Sequence, residues 1–139
     1  MILETGDVFL LRNWLLSGTE PHYHIVVQTT SDDKVVAVSI TSNLEGAYKI
    51  CRRDEDQLAD NAEPMTYVEL TPDDCPILKV KSAINCNQVQ MKDESYYLNG
   101  DDFKKFAGVK TSPDILKRIR DGLQYSATVS PKIQKICKP

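Results

Sequence analysis

Two β-branched runs, Ile25–Val27 and Val35–Ile40, flank the polar tetrapeptide Ser31-Asp32-Asp33-Lys34, and this pairing constrains the chain more than any other feature. Val and Ile suit strands because their branched Cβ packs well on a pleated surface, and a four-residue polar connection suits an antiparallel hairpin. The pattern predicts strands over residues 22–30 and 34–42. Side chains alternate across a strand, so His22, His24 and Val26 share one face while Tyr23, Ile25 and Val27 share the other. On the second strand Val36, Val38 and Ile40 share a face, opposite Val35, Ala37, Ser39 and Thr41. Both histidines of the chain thus stand side by side where one strand begins, and Thr41 and Ser42 end the next as adjacent hydroxyls.

Histidine titrates near neutral pH, so a pair can supply one proton acceptor and one donor to a single reaction, or can simply be hydrogen-bonded at a strand entrance. His-x-His also presents two imidazoles together to a metal. No third ligand stands at a recognisable spacing, so neither metal nor cofactor is expected. Glu20, in the loop before the strand, can pair with a histidine or remain an exposed carboxylate.

The rest of the chain surrounds this hairpin with short elements. Gly6-Asp7 is a turn ahead of a first strand running from Val8 to about Trp14, and Leu15–Pro21 reads as a loop. Residues 43–48 read as a loop too, and the charged run Arg52–Asp56 as a short exposed helix ending near Asn61. Met65–Leu70 and Ile77–Ile84 alternate as strands, the second with Leu78, Val80, Ser82 and Ile84 on one side. Gln88–Met91 and Tyr96–Leu98 form a shorter pair, and Asp101 caps a brief helix holding Phe103 and Phe106. Ser112-Pro113-Asp114 opens the clearest helix, with a capping hydroxyl, a proline at the first helical position and an acid at the positive end. Ile115, Leu116, Ile119 and Leu123 give it one apolar face. Ser130-Pro131 repeats the opening for a last helix over Lys132–Cys137. The order implies a mainly β, α+β fold, a small curled antiparallel sheet or barrel capped by helices.

At 139 residues the chain is one domain, 1–139, able to bury a core without staples. The start MILETGDVFLL has no basic region before its apolar residues, and no apolar run is long enough to span a bilayer, so we expect a cytoplasmic protein without membrane contact. Four widely spaced cysteines without a CxxC pair then read as reduced thiols. Residues 104–139 hold nine Lys/Arg against two Asp/Glu, a balance of +7 within a net charge of −3. Such a basic third can attract phosphates or an acidic segment, or can be the solvated side of a helix.

Read in this order, the chain resembles the MazF/PemK/Kid family of toxins. Thr5-Gly6-Asp7-Val8 is similar to the family's opening strand, and Gly18-Thr19-Glu20 with His24–Val27 to its loop and second strand. Val36–Ser42 is similar to the third strand ending in Thr, and Ser82–Gln88 to the later strand that brings further active residues. The helix DILKRIRDGLQYSATV sits where the family places its last, so the resemblance runs from Gly6 to Val129. It implies an SH3-like barrel, a homodimer, an antitoxin partner and metal-independent endoribonuclease activity on single-stranded RNA. His22, His24 and Thr41 are then the expected catalytic residues, with Glu20, Ser42, Asn85, Asn87 and Gln88 holding substrate. There are departures. His22 or His24 stands where the family usually has Arg, and Asn85 and Asn87 flank Cys86 where the Kid-like branch has Arg and Asp. Asn holds a ligand by hydrogen bonds but does not transfer protons at neutral pH. Either the histidines carry the chemistry, or the protein binds a peptide or nucleic acid without cutting.

Overall fold

A computed structural model describes residues 2–12, 20–59 and 62–139. The hairpin sits at its centre. β2 (His22–Thr29) and β3 (Lys34–Ser39) pair antiparallel, with Ile25 opposite Val38 and His24 opposite Ser39. In the turn Asp33 adopts φ 62°, a left-handed conformation that aspartate tolerates, and Thr30 N–H donates to the Lys34 carbonyl. Val27 is the extra residue of an irregularity between Val26 and Gln28.

β1 (Asp7–Leu11) flanks β2, and β7 (Lys104–Lys110) flanks β1; on the far side β6 (Val89–Asp93) flanks β3. The result is a five-stranded antiparallel sheet in the order β6-β3-β2-β1-β7. A second, two-stranded sheet pairs β4 (Tyr67–Leu70) with β5 (Ser82–Asn85). Among the described residues the sheets meet through one bridge, Thr41 with Ala83, and no strand ladder closes them into a barrel. The helices are α1 (Leu44–Asp54), α2 (Glu94–Leu98), α3 (Pro113–Tyr125) and α4 (Pro131–Ile136). No helix among the described residues is long and apolar enough to cross a membrane.

Both faces of the large sheet are buried, which decides where the site can lie. Val8, Ile25, Val27, Val36, Val38 and Ile40 pack with β4, β5, α3 and Val129 on one face. Phe9, Val26, Val35 and Ala37 pack with Leu3 and Tyr97 on the other, with Phe103 laid against them. α3 docks with Ile115, Ile119 and Leu123 inward, and its Ser112 Oγ accepts from Ile115 N–H as the capping pattern anticipates. Gly122 lets it come close, since a Cβ there would stand 2.7 Å from Cys86 Sγ and 2.9 Å from the Met65 carbonyl oxygen. Gly122→Ala should therefore destabilise the fold by up to about 2 kcal/mol net, an overpacking cost of about 1–3 kcal/mol set against a ~1 kcal/mol gain in helix propensity. Urea unfolding of the two proteins measures the difference.

Several expected elements differ. The stretch 43–48 is not a loop: Asn43 caps α1, its side chain accepting from Gly46 N–H at 3.0 Å, and the helix ends at Asp54 instead of starting in the charged run. Burial of Ala47 and Cys51 against Tyr67 and Ala83 holds it there. Ile77–Ile84 is strand only from Ser82, with Val80 56% exposed, and Tyr96–Leu98 belongs to α2. The segment with Phe103 and Phe106 runs into β7 instead of a helix, its Lys104 and Lys105 paired to Leu10 and Phe9. The end of the first strand at Trp14 and the Gly18-Thr19 motif lie outside the described residues.

Candidate functional site

β3 leaves the large sheet at Ile40 and Thr41 to meet β5, and two cavities open at this junction. The first, of about 260 Å³, is enclosed by His22, Ile40 and Thr41, by Asn43, Gly46, Ala47 and Ile50 of α1 and its cap, and by Asn85 and Gln88. The second, of about 330 Å³, takes Glu20, His22, Tyr23, Thr41, Ser42, Lys79 and Ser82. His22, Ile40 and Thr41 line both and form the ridge between them. Six of the eight residues singled out in the sequence, all but His24 and Asn87, thus line these two cavities.

The polarity of the first cavity is set by its neighbours. Asn85 is 7% exposed, and its Oδ1 accepts from Asn87 N–H at 2.9 Å, Asn87 Nδ2 at 2.9 Å and Cys51 Sγ at 3.3 Å. A backbone N–H only donates, so the oxygen must face Asn87. Among the described residues nothing accepts from Asn85 Nδ2, and Asn85 lines the first cavity. Thr41 behaves alike: its Oγ1 accepts from Asn43 N–H at 3.1 Å, leaving the hydroxyl proton to be donated. Asn85 and Thr41 therefore share this cavity with the apolar Ile40, Ala47 and Ile50 and with the polar His22, Ser39, Asn43 and Gln88.

The two histidines are separated. His24 stacks on its cross-strand neighbour Phe9, ring centroids 5.1 Å apart and planes nearly parallel, and is 2% exposed. Its Nδ1 donates to the His22 carbonyl at 2.9 Å, which places the neutral ring's lone pair on Nε2, a buried atom with no partner. Burial pulls its pKa down to about 4, outweighing the hydrogen bond to His22, while the neighbouring His22 ring lowers it a little further. His24 is thus a neutral, sealed ring at neutral pH and lines neither cavity. The pair expected to share proton transfer is reduced to His22.

Asn87 also stands apart from the ridge, lining a third cavity with Glu55, Thr66 and Ser126, and reaches the site only through Asn85. Cys86 is fully buried, and burial pushes its thiol far up, as suits a packing residue. All four cysteines are buried and unpaired. Tyr97 lies in the core while Tyr96 is 44% exposed beneath Lys92, the two being separated by a helix and not by the pleat of a strand.

The sequence did not reveal α1 as a wall. Its signal was Asn43, a capping residue, followed at Gly46 by the residue that leaves room for the cap, since a Cβ there would stand 2.5 Å from Asn43 Nδ2. Lys79 was also missed, and it brings a cation to the second cavity. A scan of models of known protein families matches none of them to this chain, and a search of curated proteins finds no match. Fold and site together define an α+β protein with two adjoining polar cavities at the junction of two sheets.

Proposed function

We propose that this protein is a metal-independent, toxin-like endoribonuclease, with the two sheets forming an open version of an SH3-like barrel. The observation that carries the reading is the ridge of His22 and Thr41 between two cavities, a shape that fits a polymer laid across it with one unit on either side. Single-stranded RNA suits it because unstacked bases can enter pockets and the 2′-OH is accessible.

The chemistry is attack of a ribose 2′ oxygen on the adjacent phosphorus, giving a 2′,3′-cyclic phosphate and a free 5′-hydroxyl. Glu20 and His22 line the same cavity, and a carboxylate with an imidazole is a suitable pair: Glu20 takes the 2′ proton and His22 gives one to the departing 5′ oxygen. The hydroxyls of Thr41 and Ser42 donate to the phosphoryl oxygens as charge develops there, with Lys79 nearby to offset it. His24 supports the strand that carries His22. A long single-stranded RNA incubated with the protein in EDTA should acquire new ends bearing cyclic phosphate, and intact RNA beside a folded protein would refute the nuclease.

The sealing of His24 favours a second reading, in which the same ridge holds RNA or the tail of an antitoxin without cutting it. Retention of RNA on the protein with no new ends distinguishes that case.

A further inference from the structure

We propose that the second cavity continues into a track for the flanking RNA strand, in which a base stacks on Tyr23 and the phosphate beyond it meets Lys104; this rests on the RNA reading above. Cross-strand pairing builds the track. Tyr23 of β2 stands opposite Leu10 of β1, and Leu10 opposite Lys104 of β7, so the three side chains share one face of the large sheet in a row across the strands. Tyr23 lines the cavity and β7 is the edge strand, and at the usual strand spacing the row covers about 10 Å between them.

This corner of the face is accessible where the rest is closed. Tyr23 and Leu10 are half-buried and Lys104 is exposed, whereas Val8, two residues before Leu10 on the same face, is completely covered. Phe106 packs against Tyr23 with ring centroids 5.7 Å apart, and Lys104 Nζ lies 5.3 Å from the Phe106 centroid. One phenylalanine thus braces the tyrosine and holds an ammonium beside it. The charge of that ammonium is uncommitted: Lys105 and Lys110 of the same strand are both tied to Asp7, while Lys104 enters no ion pair among the described residues. An aromatic ring followed by a free cation suits single-stranded nucleic acid, since every base has a stacking face and every linkage a charge. Such a track adds affinity without choosing a sequence. Tyr23 and Lys104 touch the strand, and Phe106 is a positioning residue.

The test is fluorescence anisotropy at pH 7.5 with a labelled 2′-fluoro uridine nonanucleotide, which offers no 2′-OH to attack, titrated between about 50 and 200 mM KCl. Lys104→Gln should weaken binding and lower the slope of log Kd against log salt by about 0.7, the loss of one phosphate contact on a single strand. Lys132→Gln is the control: this exposed lysine acts on Asp32 in the hairpin turn, at the other end of β2, and its removal should leave the slope unchanged. Tyr23→Leu should weaken binding about fivefold or more, and Tyr23→Phe, which keeps the ring, should bind within about twofold of the wild type. A wild type that binds, with Lys104→Gln matching it in slope, overturns the track and leaves the RNA reading standing; a wild type that does not bind overturns both. A folded Tyr23→Leu protein that binds like the wild type also overturns the inference, and if that variant does not fold the lysine comparison decides.

Discussion

Substituting His22 by alanine is expected to slow RNA cleavage by about 10²–10⁴-fold, the usual worth of one positioned proton-transfer group, with little loss of stability. His22 is half-buried at the rim of both cavities, so its side chain contributes to the site more than to the core. Glu20→Gln should cause a loss of the same order, since the amide has the shape of the carboxylate without its basicity. His24→Phe should leave cleavage within a few-fold, because that ring is 2% exposed and lines neither cavity. Initial rates on one labelled RNA, with thermal melting of each variant as the control for folding, decide the matter. A folded His24→Phe protein without activity would mean that the sealed ring opens to substrate, and the division of roles between the histidines would be wrong.

That division shows where reading the sequence stops. Alternation correctly groups the β3 residues Val36, Val38 and Ile40 on one core face and Val35 and Ala37 on the other, because a strand's period is local. Whether a face is open depends on what covers it, and His24 is closed off by Phe9, itself packed on Tyr97 and Phe103 from much later in the chain. The capped starts of α3 and α4 are legible for the same local reason, Ser112 and Ser130 each accepting from an N–H three residues on. α1 is less so: glycine, tyrosine and cysteine are indifferent or poor helix formers, and the helix is stabilised by Ala47 and Cys51 buried against β4 and β5. At the start of β7, Phe103 just before it and Phe106 within it suggest a helical turn, yet pairing with β1 wins, Gly108 accommodates a φ of 80°, and the lysines guard a sheet edge against further pairing. Asn85 and Asn87 are recognisable in the sequence as ligand-holding types, and the Asn87 N–H two residues on fixes the Asn85 oxygen, but Cys51 and Ser126, which complete this network, lie more than thirty residues away from Asn85 or its partner.

His24 also makes stability depend on pH in a way that a single variant isolates. Its ring holds a pKa of about 4 in the folded protein against about 6.5 in an unfolded chain. Between these values the unfolded state binds the proton and the native state does not, so stability falls as pH drops through 6.5 toward 4. The shift corresponds to about 3 kcal/mol in full, of which about 2 kcal/mol is lost by pH 5. His24→Phe keeps a planar ring on Phe9 and removes the proton. At pH 7 it gives up the hydrogen bond to the His22 carbonyl but also the buried, unpartnered Nε2, two effects of opposite sign and about 1 kcal/mol each. The two proteins should therefore melt close together at pH 7, and at pH 5 the variant should melt roughly 5–10 °C higher. Parallel melting curves across this range would show that the Nε2 atom of His24 takes its proton in the folded state, reached by a water or by local opening, and the ring would then be available as the second acid that the sealed structure denies it.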